Sequence, residues 1–205
     1  MSPRALTVIS AGLRQPSSTR LLADQLAAAT RDEAGRRGVA VDVRMVELRE
    51  HAHDITNHLL TGFPPAALRP AMEAVTSADG LIAVTPIFNA SYAGLFKSFF
   101  DLFADDVLAG KPVLVAATGG TARHSLALDH ALRPLFSYLR TLVLPTAVFA
   151  APEDWAGATA SGALDERVRQ AAGELAERLA AELARPAAVD PFALTRTFDE
   201  LLTGD

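Results

Sequence analysis

Arg14, Ser17, Ser18 and Thr19 carry, within six positions, the groups that an anion needs. They lie in SAGLRQPSSTR at 10–20, between an apolar run at 5–9 and a stretch rich in leucine and alanine. A strand, a hydroxyl-rich loop and a helix start, in that order, make an anion site. The first turn of a helix has N–H groups without partners and carries the positive end of the helix dipole, so a phosphate fits there. The hydroxyls add donors, and the guanidinium adds a fixed fork of charge. The rival reading is a plain capped helix, with Ser17 or Ser18 as the cap and Arg14 in solvent.

Two later segments carry different chemistry. In TPIFNASYAGL, at 85–95, Asn89 and Gly94 permit unusual backbone angles, Phe88 and Tyr92 offer stacking surfaces, and the Asn89 amide offers edge hydrogen bonds. That combination suits a flat heteroaromatic ring. In TGGTARHS, at 118–125, Gly119 and Gly120 let the backbone come close to a ligand and present N–H groups to carbonyl oxygens. A phosphate at one end and a polar-edged ring at the other describe a mononucleotide. The chain has neither GxxxxGK[ST] nor GxGxxG, so no triphosphate or dinucleotide cradle competes and flavin mononucleotide (FMN) is the expected ligand. His124 is a candidate contact to its ring or to a nicotinamide.

The elements that must position these loops follow from periodicity. Strands are expected at 5–10, 39–46, 80–84 (ending at Pro86), 111–117 and 142–149, the last interrupted or bent at Pro145. Helices are expected at 18–36, 66–76, 94–104, 125–140 and 164–184. Near-continuous apolar strands alternating with helices imply a parallel sheet covered on both faces. The expected fold is therefore α/β: a three-layer, doubly wound, five-stranded parallel sheet of flavodoxin-like order 2-1-3-4-5. Ligands of such sheets bind beyond the carboxyl ends of the strands, where the loops after strands one, three and four converge. One domain is expected over 1–184. A tail at 185–205 follows, in which Phe192, Phe198, Leu201 and Leu202 are spaced as a short amphipathic helix. The stretch 49–65 supports no element and is read as a loop that packs on a neighbouring subunit. Phe96, Phe99, Phe100 and Phe103 are read as core or subunit interface, and Lys97 with Asp101 as an i,i+4 pair. Together with the apolar tail they favour a homodimer or tetramer.

Composition narrows the classes. A net charge of -5 argues against nucleic-acid and anionic-membrane partners, which want a basic face. With no cysteine, disulfides, thiolate catalysis and Cys-based metal sites are excluded. His51, His53 and His58 match no compact ligand spacing, so no metal is expected. No run of about 20 apolar residues occurs, the start MSPRALTVIS is too short in apolar residues for a secretory signal, and the expected location is the cytoplasm.

RQPSSTR (14–20), TPIFNASYAGLFK (85–97) and TGGTARHSLALDHALRP (118–134) together resemble the NAD(P)H-dependent FMN reductase family. That family includes reductases that feed reduced flavin to two-component monooxygenases of the luciferase-like or alkanesulfonate type. The resemblance extends to about residue 183. By matching positions it implies a phosphate role for Arg14, Ser17, Ser18 and Thr19, and a ring role for Pro86, Ile87, Phe88, Asn89, Ser91, Thr118, Gly119, Gly120 and Thr121. The chain departs from the pattern at three places. Ala11 and Gly12 stand where Gly and Ser are common, which loses a hydroxyl that Ser10 is the candidate to replace. Ala90 stands where Gly is common, and Ile87 where an acidic or polar residue often stands. Sulfonate-type members can carry an inserted Tyr in the helix after TGG; here the local sequence is LALDHALRP, with His130.

The implied reaction needs no catalytic side chain. FMN takes hydride from NADPH or NADH, and the protein's task is to orient two rings and exclude water. A flavin-bound quinone, azo-dye or chromate reductase would use the same fold with another second substrate. A flavodoxin-like electron carrier is the non-enzyme alternative, although such carriers lack an arginine in the phosphate loop and are usually far more acidic.

Overall fold

The computed structural model describes residues 3–104, 106–156 and 158–181. The tail at 185–205, with its expected amphipathic helix, lies outside the described residues. Strand β1 (Arg4–Ser10) is buried from Leu6 onward and leads through the first loop into α1 (Ser18–Arg36). That helix starts where a hydroxyl can cap it: Ser17 accepts the Arg20 N–H at 3.2 Å. It buries Leu22, Ala23, Leu26, Ala27 and Ala34 along one stripe. Near its far end Arg37 donates to Glu33, which holds the Glu33 carboxyl below its ordinary range. Strand β2 (Val41–Glu47) is less buried than β1, as suits the sheet edge.

The sheet runs β2-β1-β3-β5-β6, where β3 is Gly80–Phe88, β5 Pro112–Thr118 and β6 Leu142–Val143. All of these neighbours are parallel. A further strand, β7 (Val148–Ala150), also pairs β5, opposite Ala116 to Thr118. The chain break at Pro145 thus divides one outer strand into β6 and β7, and the expected five-strand order holds. Helix α6 (Ala158–Ala180) closes the break. The Thr146 N–H donates to Glu174 Oε2 at 2.9 Å, and Gln170 donates to the Thr146 hydroxyl at 3.0 Å. Leu164, Val168, Leu175 and Leu179 of α6 pack with Leu22 and Leu26 of α1 on one sheet face.

The other face is covered by α2 (Ala52–Thr61), α3 (Arg69–Ser77), α4 (Gly94–Phe100) and α5 (Arg133–Tyr138). Phe96, Phe99, Phe100 and Phe136 are at most 1% exposed and Phe103 is 7% exposed. Their rings meet edge-on or tilted, with Phe96 and Phe100 centroids 4.8 Å apart. These rings belong to the core of the protomer. Of the charged pair expected on the same helix, Lys97 does bond Asp101.

Four local expectations are corrected. The stretch 49–65 is not a loop: a 3-10 turn at Leu48–His51 feeds α2, which Gly62 terminates at φ +75° by donating its N–H to the His58 carbonyl. Only Leu48 and Ile55 of these elements are buried, too few to give a readable period. Strand β3 does not stop short of Pro86 but continues to Phe88. Strand β1 pairs only as far as Ser10 opposite Val84, so β3 is open on that side beyond it, where a residue without an N–H is tolerated. Helix α4 ends at Phe100, four residues earlier than its apolar pattern suggests. The helix expected at 125–140 contains a π turn at Leu128–Leu132, with His130 in it, that runs directly into α5, and a separate 3-10 turn at Ala122–His124 precedes it. Pro134 has no N–H to give the His130 carbonyl, and the ladder shifts register just before it. No described helix is long and apolar enough to cross a membrane.

Candidate functional site

The carboxyl ends of β1, β3 and β5 lie side by side, and these ends with the segments that follow them contain the candidate FMN contacts named above. At the first end Ser10 is buried as the last residue of β1, and the Ala11 N–H bonds the Val84 carbonyl at 2.9 Å. The chain then folds back tightly. A Cβ on Gly12 would lie 2.1 Å from Ser17 Oγ and 3.2 Å from Thr19 Cβ, so a side chain at position 12 requires the Ser17 hydroxyl to turn aside from its cap. The Ser17 hydroxyl lies where the hydroxyl of the family pattern would stand.

The same loop leaves several donors unspent. Ser17 uses a lone pair on the Arg20 N–H and keeps its own hydrogen. The amides of Ser18 and Thr19 stand in the first turn of α1, ahead of any intrahelical acceptor. Arg14 is exposed and has no ion pair among the described residues, whereas Arg20 is held by Asp24 and Glu47. Ser17 is the cap and Arg14 is exposed, as the capped-helix reading expects, and the cap leaves the Ser18 and Thr19 amides without an intrahelical acceptor.

At the ring end β3 turns back through Asn89 and Ala90 into β4 (Ser91–Tyr92), pairing Phe88 with Ser91 and Ile87 with Tyr92. Asn89 at φ 49° and Ala90 at φ 68° are both left-handed, as a two-residue hairpin turn of the primed type requires. The foot of the hairpin is closed by the Thr85 hydroxyl, which accepts the Ala93 N–H at 3.0 Å. Pro86 is buried and the Ile87 side chain belongs to the core, so these two have backbone rather than side chains to offer a ring. Phe88 is 45% exposed, and Asn89 is exposed beside it.

The glycine loop after β5 is more constrained than its sequence suggests. The Gly119 N–H is taken by the Ala150 carbonyl at 3.1 Å, and a Cβ there would lie 2.7 Å from Phe149 Cζ. The Ala122 N–H goes to Glu153 Oε1 at 3.1 Å and the Arg123 N–H to the Thr121 hydroxyl at 3.3 Å. The amides of Gly120 and Thr121 remain without an intramolecular acceptor among the described residues. The expectation of several free N–H groups is thus narrowed to two. His124 is exposed, and its Cβ is 3.6 Å from the position of a Gly119 Cβ.

The brace behind this loop comes from residues that the sequence marks only as a turn. Glu153 holds Ala122, and Asp154 accepts the Ala151 N–H at 2.8 Å while pairing with Arg167 at 2.7 Å. Two carboxylates directly after Pro152 were the available signal, since acids there satisfy first-turn amides. Finally, the Thr19 and Thr118 hydroxyls meet at 2.8 Å, both buried, joining the first loop to the third.

The doubly wound parallel sheet, with free amides at the loops after β1 and β5, is a flavodoxin-like fold. Residues 5–156 match the family described as NADPH-dependent FMN reductase, and the chain belongs to that family. It is 38% identical to the NADH-dependent FMN reductase SfnE of Pseudomonas putida, over 90% of this chain and 92% of the relative. To the FMN reductase (NADPH) of Pseudomonas aeruginosa it is 40% identical, over 75% of this chain and 80% of the relative. Among solved structures, an oxidoreductase from Corynebacterium diphtheriae superposes with a TM-score of 0.84 at 46% identity, covering 87% of this chain and 98% of the other. The protein is an NAD(P)H-dependent FMN oxidoreductase.

Proposed function

We propose that FMN seats across the carboxyl ends of β1, β3 and β5. Its phosphate lies among Arg14, the Ser17 hydroxyl and the Ser18 and Thr19 amides, with Ser10 at the foot of the loop. Its ring lies against 86–89 and Ser91 on one side and 118–121 on the other, with His124 at the rim where the nicotinamide enters. The observation that supports this reading best is the pattern of spending: the donors at both ends are free while their neighbours are bonded within the protein.

Bound FMN supplies the ring that takes hydride from the nicotinamide. The residues orient and insulate. Gly120 and Thr121 are the donors for the ring's carbonyl edge, where they favour the negative charge that reduction places there. Phe88 and the hairpin cover a ring face and keep water away. No side chain is assigned a proton-transfer step.

The reduced flavin passes to a monooxygenase, as the family resemblance implies, in the cytoplasm. The chain acts as a homodimer or tetramer. Support comes from Leu60 at 80%, Phe63 at 77% and Tyr138 at 68% exposure, and from a cleft of about 470 Å³ between α4 and α5 lined in part by Tyr92, Leu135 and Tyr138. The deciding experiment follows NADPH and NADH oxidation by the purified protein with and without added FMN. Flavin-dependent oxidation is expected; a colourless protein whose oxidation rate ignores FMN would overturn the reading.

A further inference from the structure

Thr19 stands in the first turn of α1 and Thr118 is the last residue of β5, directly before Gly119. Their hydroxyl oxygens are 2.8 Å apart across 99 residues of sequence, and the two residues are 3% and 5% exposed. No sheet ladder couples the loops they belong to, because β3 lies between β1 and β5. The bond therefore ties the end of the site with phosphate donors to the end with ring donors.

We propose that this hydroxyl pair is the positioning device of the site: it sets the span between the phosphate cradle and the ring loop and acts on hydride transfer through that span, the two hydroxyls bonding each other rather than the flavin. The proposal rests on the reading that these loops hold FMN. A ligand fixed at both ends takes its placement from the distance between its anchors. Hydride transfer is sensitive to misplacement of about 1 Å, which costs on the order of 100-fold in rate. Only one hydrogen lies between the two oxygens. Removing one hydroxyl strands the other in a buried place, whereas removing both leaves methyl groups of nearly the same shape.

The test compares Thr19→Val, Thr118→Val, the double valine variant and Thr118→Ser. It reads the thermal midpoint of the apo protein, the FMN dissociation constant by flavin fluorescence, and kcat and KM at saturating FMN and nicotinamide. Each single valine is expected to lower the midpoint and the double to recover most of it. In the double, kcat stays about tenfold below wild type while the FMN dissociation constant changes less than kcat does. Thr118→Ser, which keeps the hydroxyl, is expected to be faster than Thr118→Val. A stable double variant with wild-type kcat would overturn the proposal by making the pair merely structural. FMN affinity losses that multiply in the double with kcat intact would overturn it by making the two hydroxyls separate ligands. A Thr118→Ser variant as slow as Thr118→Val would overturn it too. Arg14→Ala separates the levels. Undiminished FMN affinity in that variant removes the cradle and the pair's role together. Weakened affinity beside a kinetically wild-type double valine variant removes the pair alone.

Discussion

The Ser17 hydroxyl fills the space that a side chain on Gly12 would need, with a Cβ at position 12 falling 2.1 Å from Ser17 Oγ. Two residues five apart in the chain are therefore fitted as one unit, and the loop between them is closed over that contact. Gly12→Ala should displace Ser17 from its cap on Arg20. Overpacking of this kind costs about 1–3 kcal/mol of stability. The lost hydroxyl and disturbed first turn should also weaken FMN. Removing the obstructing group in Gly12→Ala/Ser17→Gly should recover part of the stability but not the affinity. Thermal midpoints and flavin titrations on the two variants check this, and a Gly12→Ala protein as stable as wild type would show that the loop has slack.

Arg14 is predicted to behave in the opposite way. It is exposed and has no ion pair among the described residues. Arg14→Ala should leave the apo midpoint where it was and weaken FMN by about 1–3 kcal/mol, the range for losing a charge-assisted contact. The same titration against riboflavin, which lacks the phosphate, should show no difference between the two proteins.

Ala90 holds a left-handed conformation at φ 68° in the turn between β3 and β4. That geometry costs a residue with a Cβ about 1–2 kcal/mol, of which glycine's greater freedom in the unfolded chain returns roughly 0.4–1 kcal/mol. Ala90→Gly should therefore stabilise the protein by about 1 kcal/mol. Chemical denaturation with an unchanged slope and a higher midpoint is the expected readout.

Local signals carried most of this architecture, and the misses have a common cause. The start of α1 at Ser18 was legible because a cap residue and an apolar stripe coincide there. The break in the outer strand was legible from Pro145. Helix α2 was not, because one buried residue, Ile55, leaves no period to read. Nor was the extension of β3 through Pro86, since its permission comes from β1 ending opposite Val84, a fact of pairing between distant segments. In the candidate site, which amides are free depends on Ala150 and Glu153, both about thirty residues from the amides they hold. The Thr19–Thr118 bond is of the same kind: two threonines announce hydroxyls, and only the sheet order brings them together.

Gly119 and Phe149 supply the last prediction, which concerns how the outer strand shapes the ring loop. Gly119 gives its N–H to the Ala150 carbonyl, and that bond lays its Cα against the Phe149 ring, with a Cβ falling 2.7 Å from Phe149 Cζ. Phe149 is 8% exposed and packed in the core, so its ring cannot swing out cheaply. Gly119→Ala should therefore break or lengthen the bond to Ala150, lower stability by about 1–3 kcal/mol, and shift Gly120 and Thr121 away from the ring edge they serve. Phe149→Leu removes the clashing ring atoms and by itself leaves a cavity beside Gly119 that an added methyl can partly fill. The two changes should offset each other: the double variant should be more stable than the sum of the single effects by at least about 0.5 kcal/mol, the size expected for residues in contact. Additive losses would mean that Phe149 does not set the position of the loop, whereas a coupled pair that also recovers FMN affinity would place the third loop's geometry under control of the outer strand.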